Sequence, residues 1–402
     1  MHLPSDANAS GRDLGAEELA HLQEVIASGT LNCTNGTQVT AFEREFAQRY
    51  GVPHCRAVSS GSAAVHSAIA AVDPEPGDEI VTSPITDMGA ITPILYQQAV
   101  PVFADVDPVT LNVTAASVAA CITPRTRAVV VTHLFGNPCD ALGISELAKA
   151  RGIAVIEDCA QAYLATQRGR LAGTIGDIGV FSLQQGKHIT AGEGGIVITS
   201  DGALARRVRL FSDKAWGYGD PKPDHYFLAV NYRMTELQGA VARAQLCKLD
   251  RFVERRQRAA AHLSELLADL PGVMRPAATP DSEHTFWRYA LSVDPDVISG
   301  GADAMATALA AAGIRCQPRY IRKPAFECEV LAKQRTYGNS RWPYSGRSTG
   351  ITPPYDRAFY PGAMKGLERV LVLPWNEAYE AEHVEFIASA VRRAAERLAL
   401  AS

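Results

Sequence analysis

Between Glu79 and Ser200 the chain carries six short apolar runs, EIVTSP, VPVFADV, RAVVVTHLFG, IAVIEDC, DIGVFSL and GGIVITS, interleaved with helical and turn segments. Runs this short and this continuously apolar suit strands buried on both faces, and their alternation with helical patterns is that of an α/β sheet covered on two sides. One such pattern is VTAFEREFAQRYG, residues 39 to 51. It places Val39, Phe42 and Phe46 on one face and ends at Gly51, as a capped amphipathic helix does. The order predicts a doubly wound, largely parallel sheet.

From Met234 the pattern changes. MTELQGAVARAQLCKLDRFVERRQRAAAHLSELLADL keeps a helical period for more than thirty residues before Pro271 interrupts it. Beyond it come a strand-like FWRYALSV, a helix near ADAMATALAAAG, an irregular Pro- and Tyr-rich stretch from 317 to 361, and a closing amphipathic helix EHVEFIASAVRRAAERLA. The 402 residues are long enough for two domains. We place the boundary near 255, with a large α/β domain over 1–255 and a smaller C-terminal α+β domain over 256–402.

The net charge of −4 and the scatter of the basic residues speak against nucleic acid or an anionic membrane as a partner. The start, MHLPSDANASGRDL, has neither a basic segment nor an apolar core of signal length, so a cytoplasmic protein is expected. The eight cysteines are dispersed without metal-ligand spacing, and no HExxH-like cluster occurs; a bound metal is not expected.

Lysine is scarce, with eight in the chain, and Lys187 alone sits between a strand and a glycine-rich turn, in FSLQQGKHITAGEGGIVIT. Asp158 ends the apolar strand of VIEDCAQAY. Pyridoxal 5′-phosphate needs such a pair: an amine to hold its aldehyde as a Schiff base, and a carboxylate to keep its pyridine nitrogen protonated. Ser59-Ser60-Gly61-Ser62-Ala63 precedes an alanine-rich helix, where free backbone N–H groups and the helix dipole suit a phosphate. Gln161 is placed to bond the ring hydroxyl, and Ser182 to offer the phosphate a hydroxyl.

VIEDCAQA, FSLQQGK followed by TAGEGG, and NYRMTELQGA are each similar, and in the same order, to motifs of the DegT/StrS-type sugar aminotransferases. The resemblance covers most of the length. It implies the fold type I of aspartate aminotransferase and a cofactor cycling between pyridoxal and pyridoxamine phosphate. It also implies that Lys187 carries the cofactor, Asp158 contacts the pyridine nitrogen, Gln161 binds the ring hydroxyl, and Ser62, Ala63 and Ser182 hold the phosphate. Asn231 would reach the phosphate of a neighbouring subunit, making a homodimer with a shared active site. Where the family stacks an aromatic ring on the cofactor this chain has Asp87 and Met88, so Met88 becomes the stacking platform; Tyr163 stands where many members have histidine. The QQGK form is closer to members acting on keto-cyclitols than to those acting on nucleotide-linked sugars. Arg233, Arg319, Tyr320 and Arg322 are candidates for binding a donor carboxylate or an anionic acceptor.

The expected reaction takes an amino group from L-glutamate or L-glutamine to a keto-sugar or keto-cyclitol, in natural-product or sugar biosynthesis. A dehydratase or aromatising lyase acting on an amino-carbocycle is the alternative, although the related dehydratases carry histidine where this chain has Lys187. A non-catalytic regulator on the same fold would lack the lysine or the aspartate, and both are present.

Overall fold

The computed structural model describes residues 1–346, 351 and 353–399. Its central sheet is built from β1 (His54–Val58), β2 (Glu79–Thr82), β3 (Val100–Phe103), β4 (Thr126–Thr132), β5 (Ala154–Asp158), β6 (Ile178–Ser182) and β7 (Gly195–Thr199), in the spatial order β1-β7-β6-β5-β4-β2-β3. From β3 to β6 all neighbours are parallel. β7 runs antiparallel to both β6 and β1. The six apolar runs thus give β2 to β7. β1, whose sequence HCRAV is half polar, escapes the sequence reading because it is an edge strand with its first three residues only partly covered.

Helices α1 (Ala16–Ser28), α2 (Gln38–Tyr50) and α3 (Gly61–Val72) come before or between these strands. Gly51 closes α2 at φ 65°, in the left-handed region that glycine adopts without strain. Thr235 starts the long helix Glu236–Leu266 by accepting the Gln238 N–H, and the Gln238 side chain reaches back to Thr235. Ala242, Leu246, Leu249, Phe252 and Val253 pack with Phe42 and Phe46 of α2. Further along, Ala259, Ala260 and Leu263 pack with Tyr289, Leu291 and Trp375 around a second sheet. One helix therefore serves two cores, and residue 255 lies within it.

The second sheet is antiparallel, with Val273–Met274, Tyr289–Val293, Val370–Leu373 and Gln317–Pro318 in that spatial order. Helices Gly301–Ala311 and Ala381–Leu398 cover it. The stretch read as irregular, 317 to 361, holds the short helix Glu329–Ala332 and several single turns; its residues 347–350 and 352 lie outside the described residues, as do 400–402. Among the described residues no helix is long and apolar enough to cross a membrane.

Candidate active site

The site forms at the carboxyl edge of β5 and β6, where parallel strands deliver their last residues into a crevice. Asp158 is the final residue of β5 and Ser182 of β6, and both are buried. Above them α3 begins. Extended Ser60 caps it by accepting the Ala63 N–H at 3.1 Å. A Cβ on Gly61 would stand 2.8 Å from the Ser182 Cβ and 2.9 Å from its Oγ, so the glycine is what lets the helix start approach that hydroxyl. A Cβ on Gly89 would likewise meet the Ser62 Oγ at 2.5 Å. Ser62, Ser182 and the first turn of a helix thus line one small cradle. The unpaired N–H groups and positive dipole end of such a turn favour a phosphate. Ala63 contributes backbone here, with its N–H shared by the Ser60 cap.

Asp158 accepts the Ala160 N–H on Oδ1 at 3.0 Å, while Oδ2 has no partner among the described residues. Burial raises its carboxyl above the usual range; the Ala160 N–H and the charge of Lys187 act in the opposite direction. A protonated ring nitrogen would supply both the missing bond and the missing charge. Behind Asp158, the buried Glu157 accepts the Ile175 and Gly176 N–H groups at 2.7 Å and His133 Nε2 at 2.9 Å. The Cys139 N–H donates to His133 Nδ1 at 3.0 Å, which places the imidazole proton on Nε2. His133, Glu157 and Cys159 lie within 4.8 Å of one another, but the Nδ1 lone pair of the histidine and both Glu157 oxygens are already engaged in these hydrogen bonds.

Gln161 accepts the Phe135 N–H at 2.8 Å and reaches the Tyr320 hydroxyl at 3.3 Å. Phe135 and Tyr320 both have positive φ, 60° and 46°, and their rings meet edge to face at 4.8 Å. Strain of this kind persists where the surroundings hold it, and it concentrates at functional sites. Burial pushes the Tyr320 phenol up to about 12, so the group is neutral.

Lys187 sits on the loop after β6, with its N–H bonded to the Gln184 carbonyl at 2.9 Å. Its Nζ lies 4.5 Å from the centroid of the Trp287 ring, and the Trp287 Nε1 donates to the Gly186 carbonyl at 2.6 Å. Arg12 donates to the Lys187 carbonyl at 2.9 Å and also to the Gln185 carbonyl. Burial draws the amine down to about 8, with Asp158 and Asp87 pulling the other way. A much larger fraction is therefore neutral near pH 7 than in a surface lysine, which makes it a competent nucleophile.

Met88 packs against the cluster that also holds Tyr320 and Trp287, and Asp87 beside it accepts the Gly89 N–H at 2.7 Å. The Tyr163 hydroxyl donates to the Ser182 carbonyl at 2.9 Å, fixing the strand end that carries Ser182. So Lys187, Asp158, Gln161, Ser62, Ala63, Ser182, Met88 and Tyr320 belong to one crevice. The arginines proposed from the sequence are placed otherwise. Arg233 is ion-paired with Asp213, and Arg319 with Asp303 at 2.7 Å on the surface. Arg322 is exposed and no contact joins it to the crevice among the described residues. Asn231 is exposed beside Arg233, on a segment held to the end of β1 by the Ser59 N–H and Tyr232 carbonyl. Sequence reasoning missed Trp287, Arg288 and Arg12, which meet the Lys187 loop from a hundred or more residues away along the chain.

Residues 12–392 match the DegT/DnrJ/EryC1/StrS aminotransferase family. The chain belongs to this family. It is 32% identical to the spore coat polysaccharide biosynthesis protein SpsC of Bacillus subtilis, over 94% of each chain. It is 35% identical to the L-glutamine:2-deoxy-scyllo-inosose aminotransferase of Streptomyces fradiae, over 79% of each. The crystal structure of the aminotransferase TlmJ from Streptoalloteichus hindustanus superposes with a TM-score of 0.82 at 30% identity, covering 96% of this chain and 98% of that one. The protein is an aminotransferase of fold type I, and its cofactor is pyridoxal phosphate. The crevice fits that group through a phosphate cradle that two glycines keep open, a buried carboxylate with a free oxygen, and an amine depressed to about 8.

Proposed function

We propose that this aminotransferase moves the amino group of L-glutamate or L-glutamine to a keto-sugar or keto-cyclitol in natural-product or sugar biosynthesis. The observation that carries this reading is Lys187 and Asp158 in one crevice beside the helix-start cradle. The relatives named for polysaccharide biosynthesis and for 2-deoxy-scyllo-inosose amination support the acceptor class. When bound, pyridoxal phosphate supplies a carbon that exchanges nitrogen and a ring that takes up the electron pair freed at the amino carbon.

The chain does the rest. Ser62, Ser182 and the first turn of α3 hold the phosphate, Asp158 keeps the ring nitrogen protonated, and Gln161, fixed by Phe135 and Tyr320, faces the ring hydroxyl. Met88 stacks on the ring as a polarizable platform. Lys187 Nζ, once displaced by the donor, would take the α proton and deliver it to the cofactor carbon that exchanges nitrogen. Donor and acceptor use the same crevice in turn, so double-reciprocal plots at several acceptor concentrations should be parallel. Lines that intersect would count against this order of events.

We also propose a homodimer in which Asn231 contacts the phosphate held by the partner copy. Asn231 is exposed on the same stretch as Tyr218, Tyr226 and Leu228, the last 92% exposed, a patch suited to burial against a second copy. Mixing inactive Lys187→Ala and Asn231→Ala proteins under conditions of subunit exchange tests it. Hybrids carry one site with both lesions and one with neither, so activity should return to about a quarter of wild type. No recovery despite proven exchange would mean that Asn231 serves its own subunit.

A further inference from the structure

Arg288 stands at the entrance to the strand Tyr289–Val293, with its guanidinium carbon 4.5 Å from the Trp287 ring centroid. Lys187 Nζ is 4.5 Å from the same centroid, so the two cations are no more than 9 Å apart, twice that distance. Its Nη1 is committed to Asp6 Oδ2 at 2.7 Å and to the carbonyls of Trp287 and Trp375 at 3.2 and 3.4 Å. Nε and Nη2, the two donors on its other edge, have no acceptor among the described residues. Nη2 lies 3.7 Å from where a Cβ on Gly186 would stand, so this free edge is turned toward the Lys187 loop.

The surrounding charges leave room for an anion. Arg12, Arg256 and Arg288 share two carboxylates, Asp6 and Glu377, which leaves one positive charge in surplus. The side chains of Arg12 and Arg256 are 2% and 0% exposed, whereas that of Arg288 is 21% exposed. The surplus is thus open to a ligand at Arg288. Arg233 and Arg319, each ion-paired with an aspartate, do not compete for the role.

We propose that Arg288 binds the α-carboxylate of the amino donor through its Nε and Nη2. This deepens the functional reading above and rests on it. A donor amine that takes the place of Nζ has its carboxylate carbon about 2.5 Å away, and a charged N–H···O contact adds about 2.8 Å, a reach that fits the span to Arg288. Two parallel donors on a planar fork match a carboxylate in a way an ammonium cannot.

The test compares cofactor-loaded wild type with Arg288→Gln and Arg288→Lys. The expected result in Arg288→Gln is a donor KM raised about 10- to 100-fold, with the acceptor KM unchanged and kcat at saturating donor within a few-fold. Arg288→Lys should fall between the two, since it keeps the charge and loses the fork. The affinity for glutarate, a dicarboxylate without an amine, measured by calorimetry, should weaken in the same order. An unchanged donor KM and glutarate affinity in both variants, or a loss confined to the acceptor KM, would overturn the assignment. A wild type that transfers nitrogen from no amino acid would instead refute the functional reading, while glutarate binding still reports on Arg288.

Discussion

Replacing Lys187 with alanine should abolish amino transfer, lowering kcat by at least about 10⁴-fold, because one amine performs two tasks. It is the nitrogen that the donor displaces, and afterwards the base that takes the α proton. Neither His188 nor Tyr320 can inherit the second task. His188 is fully buried with Nε2 bonded to the Thr285 carbonyl at 3.0 Å, and burial holds it neutral and far below its ordinary range. Burial raises the Tyr320 phenol to about 12, so it is neutral and no base.

The variant should nevertheless fold. The amine has its pKa drawn down to about 8 in the folded protein against 10.5 in the unfolded chain. Below about pH 8 it is charged in both states, so its desolvation opposes folding fully there and fades only as pH rises toward 10.5. At pH 7 the cofactor-free variant should therefore melt no lower than wild type, apart from the loss of the contact with Trp287, about 0.5–1 kcal/mol. Turnover and a melting curve check the pair of effects, and a variant that keeps activity would remove Lys187 from the chemistry.

Asp158→Asn should lower kcat by about 10³-fold, roughly 4 kcal/mol of barrier. The amide has nearly the same shape and its oxygen can still accept the Ala160 N–H. What it lacks is the charge that keeps the ring nitrogen protonated. In the cofactor-free protein the carboxyl is raised above its ordinary value by burial, so on its own the charge costs stability; the sign reverses once a cation is placed against Oδ2. Asn is thus expected to be neutral or mildly stabilising in the empty protein and damaging in the loaded one. Cofactor affinity measured by dialysis and kcat in steady state should fall together in Asp158→Asn, and unaltered values of both would dissociate Asp158 from the ring.

These two residues were legible because Asp158 ends, and Lys187 follows, a mostly apolar strand, and strand ends in a parallel sheet converge on one crevice. Gln161 could be read for the same reason, and Ser62 from its place in a Ser/Gly turn ahead of an alanine-rich helix. The first-sheet edge strand β1 and helix α1 were not: HCRAV has no apolar run, and α1 leaves Leu19 and Ile26 exposed while burying Glu18 and Val25. Arg288, Trp287 and Arg12 act at Lys187 through contacts that the second sheet and the amino-terminal segment bring in from afar. Arg12 reaches the Lys187 carbonyl across 175 residues, and no local pattern encodes that closure. Arg233 and Arg319 failed in the other direction: a guanidinium looks the same in sequence whether it awaits a ligand or is paired with an aspartate twenty or sixteen residues away.

The most direct measurement is a single half-reaction. Cofactor-loaded protein is mixed with glutamine or glutamate alone, and the keto acid released is counted against the number of subunits. The expected result is a burst of one equivalent per active site that then stops, resumes only when a keto-cyclitol or keto-sugar is added, and is absent in Lys187→Ala. Keto acid released only when both substrates are present would contradict a two-stage transfer, and release from the Lys187→Ala protein at the wild-type rate would contradict the role given to the lysine.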